Sequence, residues 1–467
     1  MIRRSATILI AALALLTACD GPTQVAGIQG SGLTVGTTQT VGPITSFGSI
    51  FVNGVEYATS GAQILIDGQP GTETQLETGQ IVSVTGTINA DGTTGSATEV
   101  DFNGNVQGPV TQIDSANNTL TILGQAVQIT AATLLDPSIQ PADLTGLQLG
   151  EVVEVSGFAD ASGATVASRV DLKASGSALQ VRGAVQNLDA TGGTFAINSL
   201  KVNYSSATVT GMLADGSTIE VHGTTLDPSG ALLATHIEVL PGLGTSANQH
   251  ADLDGIITTF TSSSNFVLLG QQVTTDANTR FILHGATLGL NLEVDVKGAF
   301  NASGELLAAT VEAKPHSSSY VRGWVESVTA SNNTLSVLGV QVVTSRTTEL
   351  DDRSSQPVRQ FRLTDLRIGD YVEVDGAEAP AGTLNAAVLQ RENGNGSGRS
   401  YLQGVATALA QPSFTVLGTT VTTTAQTSFV GPGGAATFFA QAANHLVKVS
   451  GTFANGALTA DQVQILQ

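Results

Sequence analysis

The sequence predicts an all-β protein: six tandem, small, five-stranded OB-like β-barrel repeats behind a lipoprotein signal peptide. Three observations predict it. A V-x-V-x-G pattern of period two recurs six times along the 467 residues. Charged residues make up only 12% while glycine supplies 53 positions, the profile of short strands joined by tight turns. The first nineteen residues run from a basic start through an apolar stretch to a single cysteine.

From the N-terminus, Arg3 and Arg4 precede an apolar run over 6–16, too short to span a bilayer. Leu16-Thr17-Ala18-Cys19 follows. The segment resembles the bacterial lipobox, L-[AST]-[AG]-C. That resemblance implies cleavage between Ala18 and Cys19 and a diacylglyceryl or palmitoylated Cys19. Residues 1–18 are therefore expected to be the signal peptide. Cys19 is the one cysteine, so no intramolecular disulfide can form. Each buried acyl CH₂ would add about 0.8 kcal/mol of anchoring. Asp20 resembles an inner-membrane retention signal of enteric bacteria, and the choice of inner or outer membrane stays open. Residues 19–38, rich in Gly, Ser and Thr, read as a flexible tether.

Each repeat carries four markers in order. The first is Gly42, Gly108, Gly183, Gly255, Gly323 or Gly404, opening strand 1. The second is a hairpin of strands 2 and 3, such as IFVNGVEY (50–57) or LTILGQAVQI (120–129). Asn53-Gly54 is a strong type I′ signal; in FAINSLKV (195–202) Asn198 is read as replacing the glycine. The third is the V-x-V-x-G strand 4, ending at Gly86, Gly157, Gly223, Gly298, Gly376 or Gly451. Period-two alternation marks a strand with one buried face. A turn former precedes it, with Asn291 and Asn444 standing for glycine in repeats 4 and 6. The fourth is a Gly-containing turn leading into strand 5, as in SGATVASRV (162–170). The variable stretch between strands 3 and 4, such as 133–150, has room for a short helix. Five strands with that insertion match the order of an OB-like barrel. The repeats are placed at 39–104, 105–175, 179–241, 252–314, 319–393 and 400–467. Units of this size bury enough surface to fold alone, marginally.

The opening of repeat 1, VGPITSFGSIFVNGVEY (41–57), with GQIVSVTG (79–86), resembles the bacterial domain of unknown function family 5666. That resemblance implies a tandem-repeat lipoprotein and assigns no activity, catalytic residue or cofactor.

The residues themselves offer little chemistry. Six histidines show no zinc spacing, and no nucleophile elbow, P-loop or dinucleotide fingerprint is present. Acidic turns such as NADG (89–92) and LDPSG (226–230) lack an EF-hand ligand pattern and read as turns. Trp324, the single tryptophan, is placed in the core or at a barrel rim. The net charge of −20, with no Lys or Arg between Arg4 and Arg169, opposes nucleic-acid binding. One basic cluster stands out: Arg353, Arg359, Arg362 and Arg367, in the insertion of repeat 5. It reads either as a solvated face or as a docking patch for an acidic partner, the acidic N-terminal repeats included. The expected function is a lipid-anchored, exported, non-enzymatic binding or structural array in the cell envelope, without metal or cofactor. The alternative is an envelope ligand-binding protein with an oligosaccharide or peptide pocket in one repeat. Expected partners are the membrane, through the N-terminal lipid, and an envelope protein or polysaccharide.

Overall fold

The structure, a computed structural model, describes residues 37–466 except 142, 241, 244, 245, 285, 315–318, 395–398 and 432. The signal peptide, Ala18, Cys19 and nearly all of the tether lie outside the described residues.

Repeat 2 shows how a barrel closes. Strand 1 (Val106–Asp114) pairs antiparallel with strand 2 (Thr119–Ile122), which turns into strand 3 (Gln125–Gln128). Strand 3 runs parallel to strand 5 (Thr165–Lys173), strand 5 antiparallel to strand 4 (Val152–Ala159), and strand 4 back onto strand 1. The order 1-2-3-5-4-1 is a closed OB-like barrel. Repeats 1, 4 and 5 close through the same pairings. In repeats 3 and 6 strand 1 is split, into Leu179–Ala184 and Gln186–Asp189, and into Ser400–Val405 and Thr407–Ala410.

The sequence markers meet in space. Strand 5 bulges opposite each terminal glycine of strand 4, where the register between the two shifts by one residue. A Cβ at Gly157 would sit 2.2 Å from the Val166 carbonyl oxygen, so only glycine lets the two strands approach. The opening glycine leaves a notch for the hairpin turn. Leu123, Leu338 and Leu417 take the left-handed conformation there, at φ 47°, 53° and 49°. That backbone costs a non-glycine residue about 1–2 kcal/mol. Burying each leucine to 1–2% exposure over its glycine offsets the strain. In repeat 3 the correspondence differs from the sequence reading. Asn198, at φ 48°, occupies the leucine position, and Ser199 stands where the glycine would be. Asn291 and Asn444 do adopt positive φ, 65° and 61°, like the glycines they replace.

The insertion between strands 3 and 4 seldom forms a helix. In 133–150 it adds Leu134–Leu135 parallel to strand 5 and a single 3-10 turn, Leu144–Gly146. Pro137 and Pro141 remove the N–H donors a helix would need. Among the described residues the one α-helix is Gly434–Gln441 in repeat 6, held by Phe438 against Phe414 and Phe429.

Strand 1 also explains how barrels join. Its first half pairs with strand 4 on one side only, because strand 2 begins pairing farther along. That leaves an unpaired edge, which another barrel covers. Repeats 2 and 3 join antiparallel at Gln107↔Gln180, and repeats 5 and 6 at Arg322↔Tyr401. Repeat 1 does not join its neighbour. It pairs in parallel with repeat 4, Thr38–Val41 against His250–Leu253. Three composite sheets result, of 13, 13 and 12 strands. The buried apolar residues of repeats 2 and 3 form one core, as do those of repeats 5 and 6.

Candidate functional site: the cleft between repeats 1, 2 and 5

The outward positions of strand 4 carry acids: Glu154, Glu220, Asp295 and Asp375, only 2%, 3%, 6% and 2% exposed. Period-two patterning assigns these residues to the outer face, and the joined barrels bury that face. Burying a charge demands a partner. Lys173 Nζ sits 2.8 Å from Glu154, His222 Nε2 lies 2.6 Å from Glu220, and Lys297 Nζ is 2.6 Å from Asp252 and 3.2 Å from Asp295. The hydrogen bond to Glu220 raises the His222 pKa. Sequence inspection missed these acids as a set, although Glu154, Glu220 and Asp295 recur at one strand position, with Asp375 two residues farther along its own strand.

A concavity lies where repeats 1, 2 and 5 converge. It encloses about 420 Å³. Its floor is Arg169, 4% exposed, whose Nε donates to Asp171 at 2.6 Å and whose Nη1 donates to the Thr78 carbonyl at 3.1 Å. Glu77 of repeat 1 and Asp351 of repeat 5 face the same space. Burial raises the Glu77 pKa, against the pull of Arg169.

The predicted arginines fall into two groups here. Arg353, 8% exposed, donates from Nη2 to the Asp136 carbonyl of repeat 2 at 3.2 Å. Arg359 donates to the carbonyls of Glu73 and Leu76 in repeat 1, the latter at 2.7 Å, and stacks 3.8 Å from the Phe47 ring centroid. These two bind the insertion to the acidic N-terminal repeats inside the chain; Arg353 is buried, while the Arg359 side chain stays 29% exposed and lines the cleft. Arg362 and Arg367 instead use their backbone N–H groups on Asp365 and Asp370. Of the three acids beside the cluster, Asp352 meets Arg391 and Asp351 accepts from Gln390, while Asp365 accepts the backbone N–H of Arg362.

Among the described residues, no group of three or more His, Cys, Asp or Glu side chains is arranged to hold a metal ion. Asp91 accepts the N–H groups of Thr93 and Thr94, and the Thr94 hydroxyl bond foremost holds it down to about 2. That is the Asx-type turn its sequence suggested. His316 lies outside the described residues. Of the two placements its sequence suggested, Trp324 is not in the core: it stands on the outer face of strand 1 and is 39% exposed.

One acid near the junction of repeats 4 and 5 gives a pH test. The Glu349 Oε2 is buried with no hydrogen-bond partner among the described residues. Burial, with Glu293, Asp254 and Asp351 adding to it against Lys314, pushes Glu349 up to about 8. The folded protein then holds a proton that the unfolded chain releases above its ordinary value of 4.5. Stability contributed here falls as pH rises from about 4.5 to about 8. Glu349→Gln should leave the melting temperature unchanged near pH 5 and raise it by several degrees near pH 9, read by calorimetry. A melting temperature equal to the parent's at both values would show that Glu349 keeps an ordinary carboxyl.

The profile of a family described as "Domain of unknown function (DUF5666)" matches residues 41–101, 107–171, 182–238, 254–312, 322–388 and 403–464. Among curated proteins nothing matches. A solved structure titled "drosophila Unr CSD456" is similar at 14% identity and a TM-score of 0.12, over 45% of this chain and 98% of that one.

Proposed function

Because the chain belongs to the DUF5666 family and carries six copies of its domain, we propose a lipid-anchored, exported, non-enzymatic protein whose barrels act as one binding and structural unit in the cell envelope. The observation that carries this reading is where the charged side chains go. Arg169, Arg353 and Arg359 reach from one repeat to the carbonyls of another. Such contacts support a rigid body rather than beads on a string. The lipobox at 16–19 supports the anchor, and the tether gives that body reach from a membrane.

Cys19→Ala tests the anchor. The variant should lose incorporation of labelled palmitate, accumulate as uncleaved precursor and fail to partition with the membrane as the processed lipoprotein does. Unchanged labelling and fractionation would overturn the proposal. The cleft of about 420 Å³ favours a second reading, a ligand-binding envelope protein, with the pocket made by three repeats together.

A further inference from the structure

Four of the six tyrosine and tryptophan residues in the chain meet on one surface, the outer face of the sheet shared by repeats 5 and 6. Tyr320, Arg322 and Trp324 alternate along strand 1 of repeat 5. Trp324 lies opposite Tyr371 on strand 4, and Arg322 lies between Glu373 on that strand and Tyr401 of repeat 6. The rings of Trp324 and Tyr371 meet edge to face, with centroids 4.9 Å apart. The Arg322 guanidinium lies 5.6 Å from the Tyr371 ring and 5.9 Å from that of Tyr401. The Tyr371 hydroxyl donates to the Arg399 carbonyl at 2.7 Å, and the benzo edge of Trp324 rests near Gly394.

The other repeats show that the barrel does not require these rings. At the positions equivalent to Tyr320 and Tyr401, repeats 1 to 4 carry Gln39, Asn105, Gln180 and Asp252. The place of Trp324 is taken by Pro43, Pro109, Ala184, Ile256 and Val405, and that of Tyr371 by Ile81, Val152, Thr218, Glu293 and Leu446. A ring that folding does not demand, left 39% exposed, needs another reason. The charges beside the rings nearly balance, Arg322 and Lys448 against Glu373, Glu392 and the buried Asp375, whereas the whole chain stands at −20. A polyanion would be repelled by the chain as a whole, and a strong cation finds an excess of only one acid here, itself buried.

We propose that this face binds a neutral oligosaccharide, its pyranose rings stacking on Trp324 and Tyr401, with the buried Tyr371 supporting the indole from beneath, and its hydroxyls bonding the flanking charged groups. The proposal deepens the ligand-binding reading and rests on it, but not on the lipid anchor.

Trp324 is the sole tryptophan, so its emission reports this face alone. The full chain, purified in detergent, is titrated with cellohexaose and with chitohexaose, following both fluorescence and heat. At least one sugar should shift the emission and release saturable heat. Trp324→Ile and Tyr401→Gln, which install residues that repeats 4 and 3 already carry, should weaken that binding at least tenfold with unchanged melting. If either variant melts early, Tyr320→Gln is measured in its place. Sugar binding that persists in the variants would move the site elsewhere and overturn this inference while sparing the ligand-binding reading. No heat and no emission change with either sugar would overturn it outright.

Discussion

Replacing Lys297 by Met should cost about 3–5 kcal/mol, because it strands two buried carboxylates. Lys297 Nζ lies 2.6 Å from Asp252 Oδ2 and 3.2 Å from Asp295 Oδ1, and Asp252 has no exposed surface. Among the described residues, the Asn53 amide, 3.0 Å from Asp252 Oδ1, is the side-chain donor that would remain to it. Asp252 lies in the parallel seam opposite Thr40, so the loss should appear as separation of repeats 1 and 4. Burial first, and then the charge of Asp295, pushes Asp252 up to about 7. Raised folded values favour the protonated acid, so the penalty should shrink as pH falls from about 8 to about 5. Denaturant melts at those two values check this. The triple variant with Asp252→Asn and Asp295→Asn should recover much of the loss, since no buried charge is then left unpaired. Equal melting of Lys297→Met and its parent at about pH 8 would refute the seam as described.

Gly376→Val should be of similar size. An added Cβ would fall 2.0 Å from the Asn385 carbonyl oxygen, which belongs to the backbone of strand 5 and cannot swing aside. The bulge at Ala387 of strand 5, opposite Asp375 and Gly376, would have to unwind, costing about 3 kcal/mol or more. Hydrogen exchange should show repeat 5 losing protection first, and repeat 6 with it through their common core. Gly289→Ala is the control: no atom lies closer than 3.9 Å to the new Cβ, and the change should stay within about 0.5 kcal/mol. Protection in repeat 5 that survives Gly376→Val would mean the bulge is not needed to close the barrel.

The barrels were legible because their inner faces obey a strict rule. Val372 and Val374 point into the core, and Gly376 permits the close approach to strand 5. The partnership of barrels was not legible. Alternation divides a strand into two faces but does not say what the second face meets. Glu154 and Glu220 look like solvent-facing acids in sequence and are nearly closed off in the fold. The pairing of repeats 1 and 4 leaves no local signature, because it rests on backbone bonds from residues as ordinary as Thr38 and Thr40. The arginine cluster was visible as a departure from the charge map. Its targets, the carbonyls of Leu76 and Asp136, have no side-chain chemistry to advertise them. The cleft required three repeats to be placed at once, so no single repeat could reveal it.

The parallel seam between repeats 1 and 4 has a consequence in time. A chain that emerges N-terminus first presents the edge at Thr38–Val41 long before its mate at His250–Leu253 exists. At roughly 5–20 residues per second, the roughly 210 intervening positions correspond to a wait of roughly 10–40 s. Throughout that interval the earliest-made barrel displays a bare strand edge, the kind that recruits foreign strands. Repeats 2 and 3, and later 5 and 6, face a much shorter delay, because each finds its mate in the next copy to appear. Biogenesis therefore has one slow, exposed step. A chain truncated before repeat 4 would keep that edge bare permanently, while the pair formed by repeats 2 and 3 could still be completed.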